Sequence, residues 1–113
     1  MLKSINRLKK DTDFQAVWRS GKRTACGDLA ILIMPNSTNQ SRCGVVVSKK
    51  ISRNAVNRNR IRRIILSELS ELLYQGTLPT GSDIVVRILR LPQDIDNSQA
   101  IRTQLRECFA KLS

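Results

Sequence analysis

Ser48-Lys49-Lys50-Ile51-Ser52-Arg53-Asn54-Ala55-Val56-Asn57-Arg58-Asn59-Arg60-Ile61-Arg62-Arg63 carries seven positive charges and no acid. Just upstream, the apolar run from Cys43 to Val47 reads as a strand. Downstream, Ile61, Ile64, Ile65, Leu69 and Leu72 recur at the spacing of a helix's buried stripe. A basic strand end therefore turns into a basic helix start. Crowding that charge onto a folded domain raises its self-repulsion, and a polyanion laid against it relieves the repulsion.

The helix is predicted to begin near Ser52 or Asn54 and to run to about Tyr74. At its period Ile61, Ile65, Leu69 and Leu72 fall within about 80° of one another, a core stripe. Arg60 and Arg63 point away from it, and Arg58 and Arg62 flank it. Glu68 and Glu71 lie in the second half. Cations in the first turns oppose the helix macrodipole, which favours acids there, and a local rule broken in this way tends to mark a functional site. A merely solvated face normally mixes signs, and this one does not. Arginine outnumbers lysine five to two from Lys49 to Arg63, and guanidinium forks grip phosphate and stack on bases. Asn54, Asn57 and Asn59 add amides able to meet a base edge or a ribose hydroxyl. For Asn54 capping is an equal explanation, whereas Asn59 falls inside the helix, where asparagine is disfavoured.

Outward from that stretch, the pattern predicts the order αββαβα. Thr12 reads as the N-cap of a first helix, with Gln15 completing a capping box. Phe14, Val17 and Trp18 follow at helical spacing and Gly21 closes it. Leu29 to Met34, ended by Pro35, is a strand covered on nearly both faces. The polar segment Asn36 to Ser41 has hairpin length, so Cys43 to Ser48 is expected to return antiparallel to that strand. Gly76, Pro79 and Gly81 interrupt the chain. Asp83 to Arg90 is a third strand rich in β-branched residues, ended by Pro92. Asn97 or Ser98 caps a last helix with Ile101, Leu105, Phe109 and Leu112 on one stripe. This is an α+β two-layer sandwich, a sheet of three or four strands with helices packed on it.

The totals bound the function. One domain of 113 residues with a net charge of +11 points first to nucleic acid, then to an acidic membrane surface or protein. Fourteen of the twenty cations lie in residues 1–23 and 49–63, so the charge is local, as a binding face would be. Histidine is absent, and Cys26, Cys43 and Cys108 are odd in number and far apart, which argues against zinc and for reduced, buried thiols of a cytoplasmic protein. No signal peptide or spanning run is visible, and no membrane partner is expected. Acid–base or nucleophilic catalysis lacks its residues: no histidine, no gathered carboxylates, no Gly-rich phosphate loop. Phe14 and Trp18, four apart, form one aromatic ledge. Core packing explains the ledge as well as a stacking platform for unpaired bases does, and Arg19, Lys22 and Arg23 favour the platform.

Ser48, Lys49, Lys50, Ala55, Arg58, Asn59, Arg60, Ile61, Arg62 and Arg63 resemble the signature of the protein subunit of bacterial ribonuclease P. Arg7-Leu8-Lys9-Lys10, Asp13-Phe14-Gln15 and Gly21-Lys22-Arg23 are similar to that family's opening, and the likeness spans the chain. The resemblance implies an αββαβα fold with a left-handed βαβ crossover, where chain handedness alone would suggest a right-handed one. It implies a large catalytic RNA with bound Mg2+ that removes the 5′ leader of precursor tRNA, with no cofactor on the polypeptide. It implies that Arg7, Lys9, Lys10, Lys49, Lys50, Arg53, Asn54, Arg58, Asn59, Arg60, Arg62 and Arg63 face RNA, and that Phe14 and Trp18 floor a leader cleft. Two positions depart from the family pattern: Leu66 stands where an arginine is usual, and Leu32 where an aromatic is often found. A phosphate contact and a stacking wall are therefore expected to be missing. Set against this are a different binding module, such as a ribosomal protein of similar fold, and a protein-only nuclease, which would need a carboxylate cluster.

Overall fold

The computed structural model describes residues 3–90 and 98–112. Pro92 and Asn97, expected to end a strand and cap a helix, lie outside the described residues, as do the side chains of Ser98 and Leu112. A 3-10 turn, Ser4–Asn6, leads into α1 (Asp11–Ser20), β1 (Lys22–Cys26), β2 (Leu29–Pro35), β3 (Arg42–Val46), α2 (Ala55–Tyr74), β4 (Ser82–Ile88) and α3 (Ser98–Leu112). No helix among the described residues is long and apolar enough to cross a membrane.

The four strands form one sheet in the order β1-β2-β4-β3. β1 and β2 make an antiparallel hairpin, closed by a two-residue turn with Gly27 at φ 61°. β4 runs antiparallel to β2 and parallel to β3. The expected hairpin from Leu29–Met34 to Cys43–Ser48 is therefore corrected: the two strands do oppose each other in direction, but β4 lies between them. Apolar on both faces, β4 buries Ile84, Val86 and Ile88 on one side and Val85 on the other. The centre of the sheet is where such a strand loses most contact with water.

The sheet separates two cores. On one face Ile61, Ile65, Leu69 and Leu72 of α2 and Ile101, Leu105, Cys108 and Phe109 of α3 pack on Leu29, Ile31, Cys43, Ile84, Val86 and Ile88. The predicted stripe of α2 is thus the buried one. On the other face Val17 of α1 and Leu8 pack on Leu32 and Val85, with Phe14, Met34 and Val46 half-buried around them. All three cysteines are buried and free. Burial, then the neighbouring Asp83, pushes the Cys43 thiol up to about 12.

The expected cap of α1 is also corrected. Thr12 lies inside the helix, and Lys10 holds the N-cap position without a capping hydrogen bond from its side chain. Asp11 and Asp13 in the first turn meet the helix dipole instead. Asn54, by contrast, caps α2: its side-chain oxygen accepts from the Val56 N–H at 2.9 Å.

Candidate nucleic-acid interface

β3 ends at Val46, and Val47 is buried in the main core. A turn follows in which the Ile51 N–H donates to the Ser48 carbonyl at 3.1 Å. Ile51 packs against that core, so the exposed Lys49, Lys50 and Arg53 stand on a loop pinned at its middle. Arg60 and Arg63 are exposed and Arg58 and Arg62 half-buried, as the helical spacing predicts. The Arg58 Nη1 donates to the Ser52 carbonyl at 2.8 Å, folding the guanidinium back onto the turn. The Arg62 Nη1 donates to the Asn59 Oδ1 at 2.9 Å, which explains an asparagine in mid-helix. Among the described residues Lys49, Lys50, Arg53, Arg58, Arg62 and Arg63 make no ion pair with a carboxylate.

The chain start joins the same side of the fold. Arg7 bridges to Cys43 in parallel, and the Leu8 N–H donates to the Cys43 carbonyl at 2.9 Å. Arg7 and Leu8 thus lie along the outer edge of β3, parallel to it, and Lys9 and Lys10 lead on into α1. Arg7, Lys9 and Lys10 are exposed there.

Around α1, Phe14, Gln15, Trp18 and Arg19 line an open groove of about 300 Å³. Trp18 is 43% exposed, whereas Val17 beside it is fully buried, so the helix spends one residue on the core and offers the other. Phe14 divides its surface, lying against Gly44 on one side and in the groove on the other. A Cβ at Gly44 would sit 2.5 Å from the Phe14 Cζ, so only glycine lets the ring lie on β3. Leu32, where the resemblance leads one to expect an aromatic, is buried beneath α1. Leu66, where it leads one to expect an arginine, packs half-buried on the main core.

Two arrangements were not legible beforehand. Arg42 on β3 donates from Nε and Nη2 to the two oxygens of buried Asp83, at 2.8 and 2.6 Å, and lies 3.5 Å from Asp13 of α1. The hydrogen bond to Asp83 holds the guanidinium above its ordinary value. This clamp ties the start of α1 to the sheet. On β4, the Arg87 guanidinium lies 4.9 Å from the centre of the Trp18 ring. Its sequence signal was a single cation inside an apolar strand.

A loop and helix start rich in unneutralised cations, with an exposed aromatic groove on the same small sheet, define a protein shaped to lie against a polyanion. The family model named Ribonuclease P matches residues 2–113, and the chain belongs to that family. It is similar to the ribonuclease P protein component of Pseudanabaena, 37% identical over 112 residues, covering 98% of this chain and 94% of that one. It is 44% identical over 78 residues to that of Clostridioides difficile, covering 69% and 67%. The structure of the Staphylococcus aureus RNase P protein superposes with a TM-score of 0.79 at 28% identity, covering 96% and 95%. The fold of the Thermotoga maritima RNase P protein matches with a TM-score of 0.78 over 95% and 97%. The chain is thus the protein subunit of an endonuclease that works as a ribonucleoprotein, and its family implies an RNA partner in the holoenzyme.

Proposed function

We propose that the basic loop and the first half of α2 lie against the catalytic RNA, and that the groove beside α1 holds the 5′ leader of precursor tRNA. The observation carrying this is the set of six cations between Lys49 and Arg63 that meet no carboxylate among the described residues. Arginine forks there would grip phosphate oxygens bidentately, and Lys49 and Lys50 would act as point charges near the cut. Arg7, beside β3, and Lys9 and Lys10, which lead on into α1, would extend the same face. Asn59 would work through Arg62, whose guanidinium it steadies. Asn54 uses its oxygen in the cap, leaving its amide for RNA.

Phe14 and Trp18 would stack leader bases, a contact indifferent to base identity and worth ~1–3 kcal/mol per base. The leader is thereby tied to the enzyme, which favours precursor over mature tRNA. Magnesium ions on the RNA supply the hydrolytic chemistry. This chain's part would be to bind and orient the RNA, in the cytoplasm.

The test is a reconstituted holoenzyme with a bacterial ribonuclease P RNA. With about five phosphate contacts, log affinity falls against log salt with a slope of about −4. Arg63→Ala is expected to make that slope shallower by about 1 and to leave the urea unfolding midpoint unchanged, because the side chain lies off the core. A slope near zero for the wild-type protein, or an equal loss of stability and binding in the variant, would overturn the assignment.

A further inference from the structure

We infer that Arg87 is a leader-contacting residue, a phosphate anchor standing on the sheet beside the aromatic groove. This rests on the reading of that groove as the leader's seat. Arg87 faces the α1 side of the sheet, opposite Ala30 on β2 and Val46 on β3. The same row continues to Ala25 on β1. Two alanines in succession leave space above the sheet, and the arginine stem rises into it until the guanidinium meets Trp18 at 4.9 Å.

Arg87 is half-buried and its guanidinium has five N–H donors, yet among the described residues it makes no hydrogen bond or ion pair. The arginines that meet carboxylates are used differently: Arg42 is clamped to Asp83, Arg90 to Asp28, and Arg102 and Arg106 to Glu68. A side chain needed only to support Trp18 would do so without charge, as Met or Leu. A flat cation resting on an indole keeps its edge donors free. A strand of RNA with one base stacked on the ledge would place a neighbouring phosphate within their reach. Leu32, buried beneath α1, offers no ring on this face of the sheet, and Arg87 brings charge to it. The leader is then held by one aromatic ledge and one phosphate anchor.

Arg87→Met keeps the volume and the cover over Trp18 and removes the charge, and Arg87→Lys keeps the charge without the flat face. Affinities of the reconstituted holoenzyme for precursor and mature tRNA are measured across a salt series, with a thermal melt of each variant. Arg87→Met is expected to weaken precursor binding about tenfold, leave mature tRNA binding unchanged and make the precursor salt slope shallower by about 0.7. Arg87→Lys is expected to keep the wild-type slope. Precursor binding by Arg87→Met that equals or exceeds wild type at every salt concentration would overturn the inference, as would an equal loss for both RNAs. Trp18→Ala separates the two readings. If it abolishes the preference for precursor while Arg87→Met is silent, only the anchor falls. If both are silent, the groove does not hold the leader.

Discussion

Glu68 sits in α2 at 1% exposure, sealed between two helices. Burial pushes its carboxyl up, but hydrogen bonds from Arg106 and Arg102, at 2.7 and 2.9 Å, and their charges outweigh that and hold it below the ordinary range. A carboxyl depressed in the folded state adds stability above its unfolded value, and the contribution is lost as pH falls through the folded value. Glu68→Gln is therefore expected to cost about 1–3 kcal/mol at neutral pH, because one of the two acceptor oxygens becomes an NH2 donor and both guanidinium groups lose the negative charge they face. The gap to wild type should close below about pH 4. Urea midpoints from pH 7 to pH 3 measure both. A gap independent of pH would mean that Glu68 acts through shape alone. The sequence showed Glu68 only as an acid beyond the basic patch, because its partners lie more than thirty residues away on α3.

Among the elements, α2 follows from its own residues. Its stripe is a matter of period, and its start of one asparagine whose oxygen reaches the N–H two residues on. Asn54→Ala is expected to cost about 1 kcal/mol, and Asn54→Ser to recover most of it. If Asn54 serves only as the cap, Asn54→Ser binds RNA as wild type does; lost affinity at full stability would show that its amide touches RNA. The two are separated by chemical denaturation and a binding titration on the same protein. α1 is less orthodox. A lysine in the cap position gives no acceptor, so the helix start relies on Asp11, Asp13 and the Arg42 clamp. β1 is the fourth strand that the sequence allowed for without placing it. Of Lys22 to Cys26 only Cys26 is buried, as befits an edge strand with charged side chains, and a strand without an apolar alternation leaves little periodic signal.

Across the whole molecule, the interface depends on two cores on opposite faces of one sheet. The α2–α3 core presents the basic helix start, and the smaller α1 core presents the groove. Gly44 links them, because its missing side chain lets Phe14 lie against β3 while the other face of the strand packs under α2. Gly44→Ala puts a methyl 2.5 Å from the Phe14 ring carbon Cζ and 3.3 Å from the Leu8 Cβ. The ring must shift, at a cost of about 1–3 kcal/mol. The preference for precursor over mature tRNA is expected to fall with it, while binding to the catalytic RNA through α2 persists. Urea unfolding and the ratio of the two tRNA affinities check this. Lost stability with an unchanged ratio would detach Phe14 from the leader.

The sequence by itself determined the local features: a helix stripe at 3.6-residue period, an asparagine cap, apolar strand runs and an acid-free cluster of cations on one loop and helix start. These depend on neighbours within about two turns, so a pattern of residues suffices to specify them. It also carried the likeness to a family. Only the tertiary structure decided that β4 enters between β2 and β3, that Asp83 is clamped by Arg42, and that Arg87 lies over Trp18. Each joins residues dozens of positions apart, and the gain comes from burying a strand on both faces or a charge beside its partner. No short window of sequence records which distant surface will supply that burial.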